Sequence, residues 1–150
     1  METKTINSNH IDIDQRNESV FNLLEKAKNG TLIFGSSVSD IRKSEIIESV
    51  LVGIPTMPML GVMSIENGQS VVTILKNDKW LTVIKSFVNG EFALSGCRIL
   101  NGLNGKKFDE LHRAFQSSIF DTRFDMILVR DVYKDKDAVD YAIKNLTCEG

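Results

Sequence analysis

Five consecutive residues, Lys76-Asn77-Asp78-Lys79-Trp80, gather the side chains of this chain best suited to holding a charged ligand. Two ammonium groups within four positions would neutralise phosphate, and an indole beside them would stack on a base. They stand where a β-prone run, Ser70 to Leu75, gives way to a helical pattern beginning at Lys79. Lys85, further along that pattern, would extend the patch. The same spacing fits an ordinary alternative, in which Trp80 packs into the core, the lysines form a solvated face and Asp78 caps the helix. Apolar helix faces more often mean core than binding, so this alternative is the expectation. The five residues stand as a candidate ligand-binding site with no catalytic residue among them.

Other reactive side chains are sparse. His112 follows Asp109 by three residues, which on one helix would put a carboxylate where it could orient an imidazole as a base. No serine or cysteine nucleophile sits in a recognisable motif around it, and a lone surface histidine is the expectation. Cys97 lacks the basic surroundings that make a thiol reactive, Arg98 apart, and reads as a small packing residue. Two cysteines, Cys97 and Cys148, with two histidines make neither a disulfide framework nor a zinc site. No structural metal and no cofactor are expected. Met57, Met59 and Met63 lie in or near the Pro55-Thr56-Met57-Pro58-Met59 stretch. Adaptable methionines would either offer a partner a hydrophobic surface or fill the core beneath a loop.

Composition bounds the rest. With 150 residues, 42% of them hydrophobic and 25% charged, the chain has the size and balance of one globular domain. No stretch reaches bilayer length, and the polar start, Met1 to Arg16, has no export-signal pattern, so a cytoplasmic location without membrane contact is expected. A net charge of −2 with scattered basic residues disfavours non-specific nucleic-acid binding, which depends on clustered cations.

The elements that would position these groups follow from periodicity. Residues up to about Asn17 carry no apolar pattern and read as a flexible lead-in (1–17), leaving 18–150 as one domain. Helices are predicted over Glu18 to Lys28, Ser39 to Val52 (capped by Ser39 or Asp40), Lys79 to Val88, Phe108 to Phe120 and Lys136 to Leu146. Strands are predicted at Thr31 to Phe34, Glu91 to Leu94 and Phe124 to Val129. Met59 to Ser64 and Ser70 to Leu75 read as a hairpin, because Asn67-Gly68 accepts the positive φ angles of a tight turn. The result is an α+β domain with a small mixed sheet and flanking helices.

Three blocks carry a family resemblance: Lys43-Ser44-Glu45-Ile46-Ile47-Glu48-Ser49-Val50-Leu51-Val52-Gly53-Ile54-Pro55, then Phe87-Val88-Asn89-Gly90-Glu91-Phe92-Ala93-Leu94-Ser95-Gly96, then Leu103-Asn104-Gly105-Lys106-Lys107-Phe108. In order and spacing they resemble the domain of unknown function that forms the N-terminal part of GmrSD-type restriction proteins, over roughly residues 18 to 150. The resemblance implies a ParB/sulfiredoxin-like fold. It also locates that family's Asp-Gly-Gln-Gln-Arg motif at the position reading Lys76-Asn77-Asp78-Lys79-Trp80, where all five residues differ. Upstream, where the family usually has a Phe-Gln-Arg element, the segment Leu32 to Arg42 is shorter and reads Phe34-Gly35-Ser36-Ser37. Near the C-terminus, Asn145 and Thr147 replace the Arg and Asn of another family motif, and the family's helical extension and His-Asn-His nuclease domain are not expected. Removing one catalytic electrostatic group commonly costs about a hundred-fold in rate. The resemblance therefore implies a non-catalytic binding or regulatory module, derived from a defence-type nucleotide-hydrolysing domain and acting on another protein. The competing readings are a rearranged nucleotide-binding or nuclease site using Lys76, Asp78 and Lys79, and a nucleic-acid-binding module without catalysis.

Overall fold

The computed structural model describes residues 12–130 and 136–147. In chain order the elements are β1 (Asp12–Ser19), α1 (Val20–Lys28), β2 (Leu32–Ile33), α2 (Asp40–Leu51), β3 (Met59–Glu66), β4 (Gln69–Lys76), α3 (Lys79–Val88), α4 (Arg113–Asp121), β5 (Arg123–Arg130) and α5 (Lys136–Thr147). Two 3-10 turns, Asn101–Leu103 and Phe108–Glu110, lie between α3 and α4. The strands form one five-stranded sheet in the order β1-β5-β3-β4-β2. β3 runs parallel to β5 and β2 parallel to β4, whereas β1 with β5 and β3 with β4 are antiparallel. The α+β class, the mixed sheet and the flanking helices agree with the sequence reading.

The hairpin forms as its turn residues dictate. Asn67 and Gly68 both take positive φ, 55° and 78°, and the register runs from Glu66 opposite Gln69 down to Leu60 opposite Lys76. Alternation along the strands sends Met59 and Met63 of β3, Val72 and Ile74 of β4, and Phe124, Met126 and Leu128 of β5 into one core. There they meet Leu23 of α1, Ile47 of α2, Ile84 and Phe87 of α3 and Ile119 of α4. Leu60, Val129 and Val139 are buried outside this cluster, where α5 packs on β5 and β3. The sheet is therefore covered by α1–α4 on one face and by α5 on the other.

Three expectations need correction. β1 falls in the segment read as a lead-in, yet Asp12–Ser19 pairs with Arg123–Arg130 along its whole length. Its stability comes from the backbone ladder and polar cross-strand pairs, not from apolar periodicity: Asp12 pairs with Arg130, and Asn17 Nδ2 donates to Asp125 at 2.7 Å. A charged strand of this kind suits a sheet edge. Residues 1–11 of the lead-in lie outside the described residues.

Glu91 to Leu94 makes no strand. Its backbone bonds close a loop on itself, with the Leu94 N–H donating to the Lys106 carbonyl at 2.9 Å, while Phe92 packs on Phe87. The helix read over Phe108 to Phe120 is broken at Leu111-His112. His112 adopts an extended backbone (ψ 146°), and its Nδ1 accepts the Ala114 N–H at 3.0 Å. His112 thus caps α4, and Asp109, in the preceding 3-10 turn, shares no helical face with it.

Candidate functional site

β4 ends at Lys76, and Asn77 turns the chain in the left-handed region (φ 66°), a conformation asparagine tolerates better than most residues. Its side-chain amide donates to the Pro58 carbonyl at 3.0 Å and so ties the turn to the segment leading into β3. α3 starts at Lys79. This local geometry opens a cleft of about 490 Å³ between the end of β4, the start of α3 and residues 55–57. Lys76, Asn77, Lys79 and Trp80 line one side, Pro55, Thr56 and Met57 another, with Leu75, Ser36 and the buried Phe124 completing the lining.

Four of the five candidate residues thus converge on one open space. Trp80 is half-buried: it packs against the core and still lines the cleft without filling it. Lys76 and Lys79 are exposed, and neither makes an ion pair among the described residues. Lys85 does not join them. Its Nζ lies 5.5 Å from the centroid of the Phe34 ring, and it lines a separate notch beside Phe21 and Phe120.

Asp78 departs most from expectation. It occupies the N-cap position of α3, but its side chain makes no capping bond and is only 4% exposed. The carboxylate instead turns inward, accepting the Gly35 N–H at 2.8 Å on Oδ2 and the Ser36 hydroxyl on Oδ1. Thr82 reinforces the junction: its hydroxyl donates to the Asp78 carbonyl at 2.9 Å and accepts the Ser36 N–H at 3.3 Å. Asp78 is consequently a fastener between the loop before α2 and the first turn of α3. Among the described residues, the cleft lining holds two lysines and no acid.

The two motif blocks at 43–55 and 87–96 meet at a second polar junction, which the sequence did not reveal. Ser44 on α2 is buried and its Oγ accepts the Ser95 N–H at 2.9 Å. One turn later, Glu48 accepts three successive amides, from Arg98 at 3.3 Å and from Ile99 and Leu100 at 2.7 Å each. The Leu100 amide is the largest influence holding the Glu48 carboxyl below its ordinary value; desolvation opposes it, and the Arg98 and Ile99 amides and the Arg98 charge add to it. Cys97, inside this clamped loop, is free and buried, and burial together with the Glu48 charge pushes its thiol up. The thiol is thereby kept in its poorly nucleophilic form, as a packing residue should be.

Among the described residues, no group of three or more His, Cys, Asp or Glu side chains is clustered as a metal site would require. No helix among them is long and apolar enough to cross a membrane. Comparison with protein-family models, curated proteins and solved structures finds no match to this chain.

Proposed function

We propose that this chain is a non-catalytic binding or regulatory module of ParB/sulfiredoxin-like ancestry, resembling the N-terminal domain of GmrSD-type restriction proteins but without its Asp-Gly-Gln-Gln-Arg chemistry. The observation that carries the reading is the fate of Asp78. A hydrolytic site at this strand-to-helix turn would need a carboxylate or amide facing the ligand to hold a cation or orient water. The carboxylate at this turn is instead buried and engaged by Gly35 and Ser36. The Asn77 amide is tied to the Pro58 carbonyl, and the rest of the lining is two lysines, the hydroxyl residues Ser36 and Thr56, and apolar side chains, with no carboxylate lining the cleft among the described residues.

Phosphate release from ATP, GTP, CTP and UTP with magnesium tests this directly. No turnover above background is expected from the full chain; robust turnover abolished by Lys76→Ala or Asp78→Ala would overturn the reading.

One observation favours a second reading, nucleotide binding without hydrolysis: Lys76, Lys79 and Trp80 share one open cleft, so a phosphate and a base have partners there. A ligand at about a hundred times its dissociation constant stabilises the native state by roughly 2.7 kcal/mol. A nucleotide-selective rise in melting temperature of a few degrees, lost in Lys79→Ala, would establish this reading, and unchanged melting with all four nucleotides would remove it.

A further inference from the structure

We infer that the cleft beside α3 receives an extended, acidic and apolar peptide segment of a partner protein, with its carboxylates against Lys76 and Lys79 and its apolar side chains against Met57, Leu75 and Trp80. The inference rests on the binding-module reading and names the occupant of that same cleft. Charge complementarity sets the first half: among the described residues two lysines and no acid line the cleft, and neither lysine makes an ion pair, although the chain as a whole carries a net charge of −2. Local positive potential on a mildly negative molecule selects for a negatively charged partner at this one place.

The apolar surface sets the second half. Met57 is 68% exposed and Leu75 48%, an unusual display for two large side chains lining one cleft beside a half-buried tryptophan. Aromatic and methionine side chains are among the residue types enriched in protein interfaces. A second depression, of about 550 Å³, shares Pro55 and Thr56 with the cleft and exposes Ile54 and Val52 beyond them. The two hollows adjoin at Pro55 and Thr56, so an extended segment seated against Lys76 and Lys79 can continue over Ile54 and Val52, with Asp121 and Arg123 on the far side of the second hollow. Nucleic acid is the weaker fit, because two cations release few counterions.

The test is selection of a random peptide library displayed on phage against the full chain, followed by titration of a synthetic copy of the winning peptide. Trp80 is the chain's single tryptophan, so its emission reports occupancy of this cleft directly. Expected are sequences in which Asp or Glu adjoin aromatic or aliphatic residues, a shift in Trp80 emission on binding, and affinity that falls with salt. Lys76→Glu combined with Lys79→Glu should weaken binding about tenfold or more, and Met57→Ser several-fold, in proteins whose unfolding transition matches the parent. The proposal is overturned if no peptide is enriched, if the winners lack acidic residues, if charge reversal leaves affinity unchanged, or if a single-stranded oligonucleotide drives the Trp80 change better than any peptide. Nucleotide turnover would remove the non-catalytic reading without altering this peptide result, so the two failures are separately visible.

Discussion

The Gly35 N–H donates to the Asp78 carboxylate at 2.8 Å across 43 residues of sequence, and this bond explains why a charged residue at a helix start does not cap that helix. The carboxylate is nearly inaccessible, so its worth as an acceptor is set by the donors that would lose it. Asp78→Ala would leave the Gly35 N–H and the Ser36 hydroxyl without their acceptor. A cost of about 2–3 kcal/mol is expected, since hydrogen bonds to a charged group contribute about 1.5–3 kcal/mol. Asp78→Asn keeps one acceptor oxygen and should lose less. Urea unfolding followed by Trp80 emission measures both; an alanine variant as stable as the parent would show that the junction is incidental.

The Glu48 clamp predicts a pH dependence with a definite sign. Its folded carboxyl is held below the ordinary 4.5, chiefly by the Leu100 amide. The unfolded chain therefore binds the proton more readily, and the stability this group adds is fully present above about 4.5 and is lost as pH falls through the lower folded value. Glu48→Gln should consequently melt below the parent at pH 7, with the gap closing as the solution is acidified past that range. Equal melting of the two proteins at neutral pH, or a gap that widens in acid, would contradict the assignment.

Periodicity made most of this architecture legible. The Asn67-Gly68 turn, α3 from Lys79 to Val88 and the last strand all follow from local residue types, and the structure keeps them. β1 was hidden because its partners are Asp125 and Arg130, more than a hundred residues away, and a strand held by polar pairs has no apolar signature. The cleft was half visible. Adjacency groups Lys76, Lys79 and Trp80, and the Pro55-Thr56-Met57-Pro58-Met59 stretch stands apart through its methionines; only the Asn77–Pro58 bond shows that both border one space. Asp78's inward turn had no local signal, because Gly35 and Ser36 lie in a different part of the sequence.

Ser44 and Glu48 hold the same loop from adjacent turns of α2, so their losses should not be independent. In a background carrying Cys148→Ser, alkylation of the buried Cys97 reports how often that loop opens. Either Ser44→Ala or Glu48→Gln should raise the labelling rate by several-fold, and the double variant should exceed the product of the single effects. Labelling that is fast in the parent would show that the loop is not clamped at all.

Among the described glycines, Gly61 is the one whose missing Cβ would strike a neighbouring strand. It follows the register shift between β3 and β4, and a Cβ there would fall 2.6 Å from the Thr73 carbonyl oxygen and 3.2 Å from the Ile74 Cα. Both obstacles are backbone atoms of the paired strand, so no side-chain rotation relieves them. Gly61→Ala must therefore push β3 away from β4 at the centre of the sheet, and overpacking of this kind costs about 1–3 kcal/mol. The end of β4 carries Lys76 into the cleft, so the variant should also disturb Trp80: its emission in the folded protein should shift even where the chain still folds. Unchanged stability with unchanged emission would mean that the two strands are not this closely apposed.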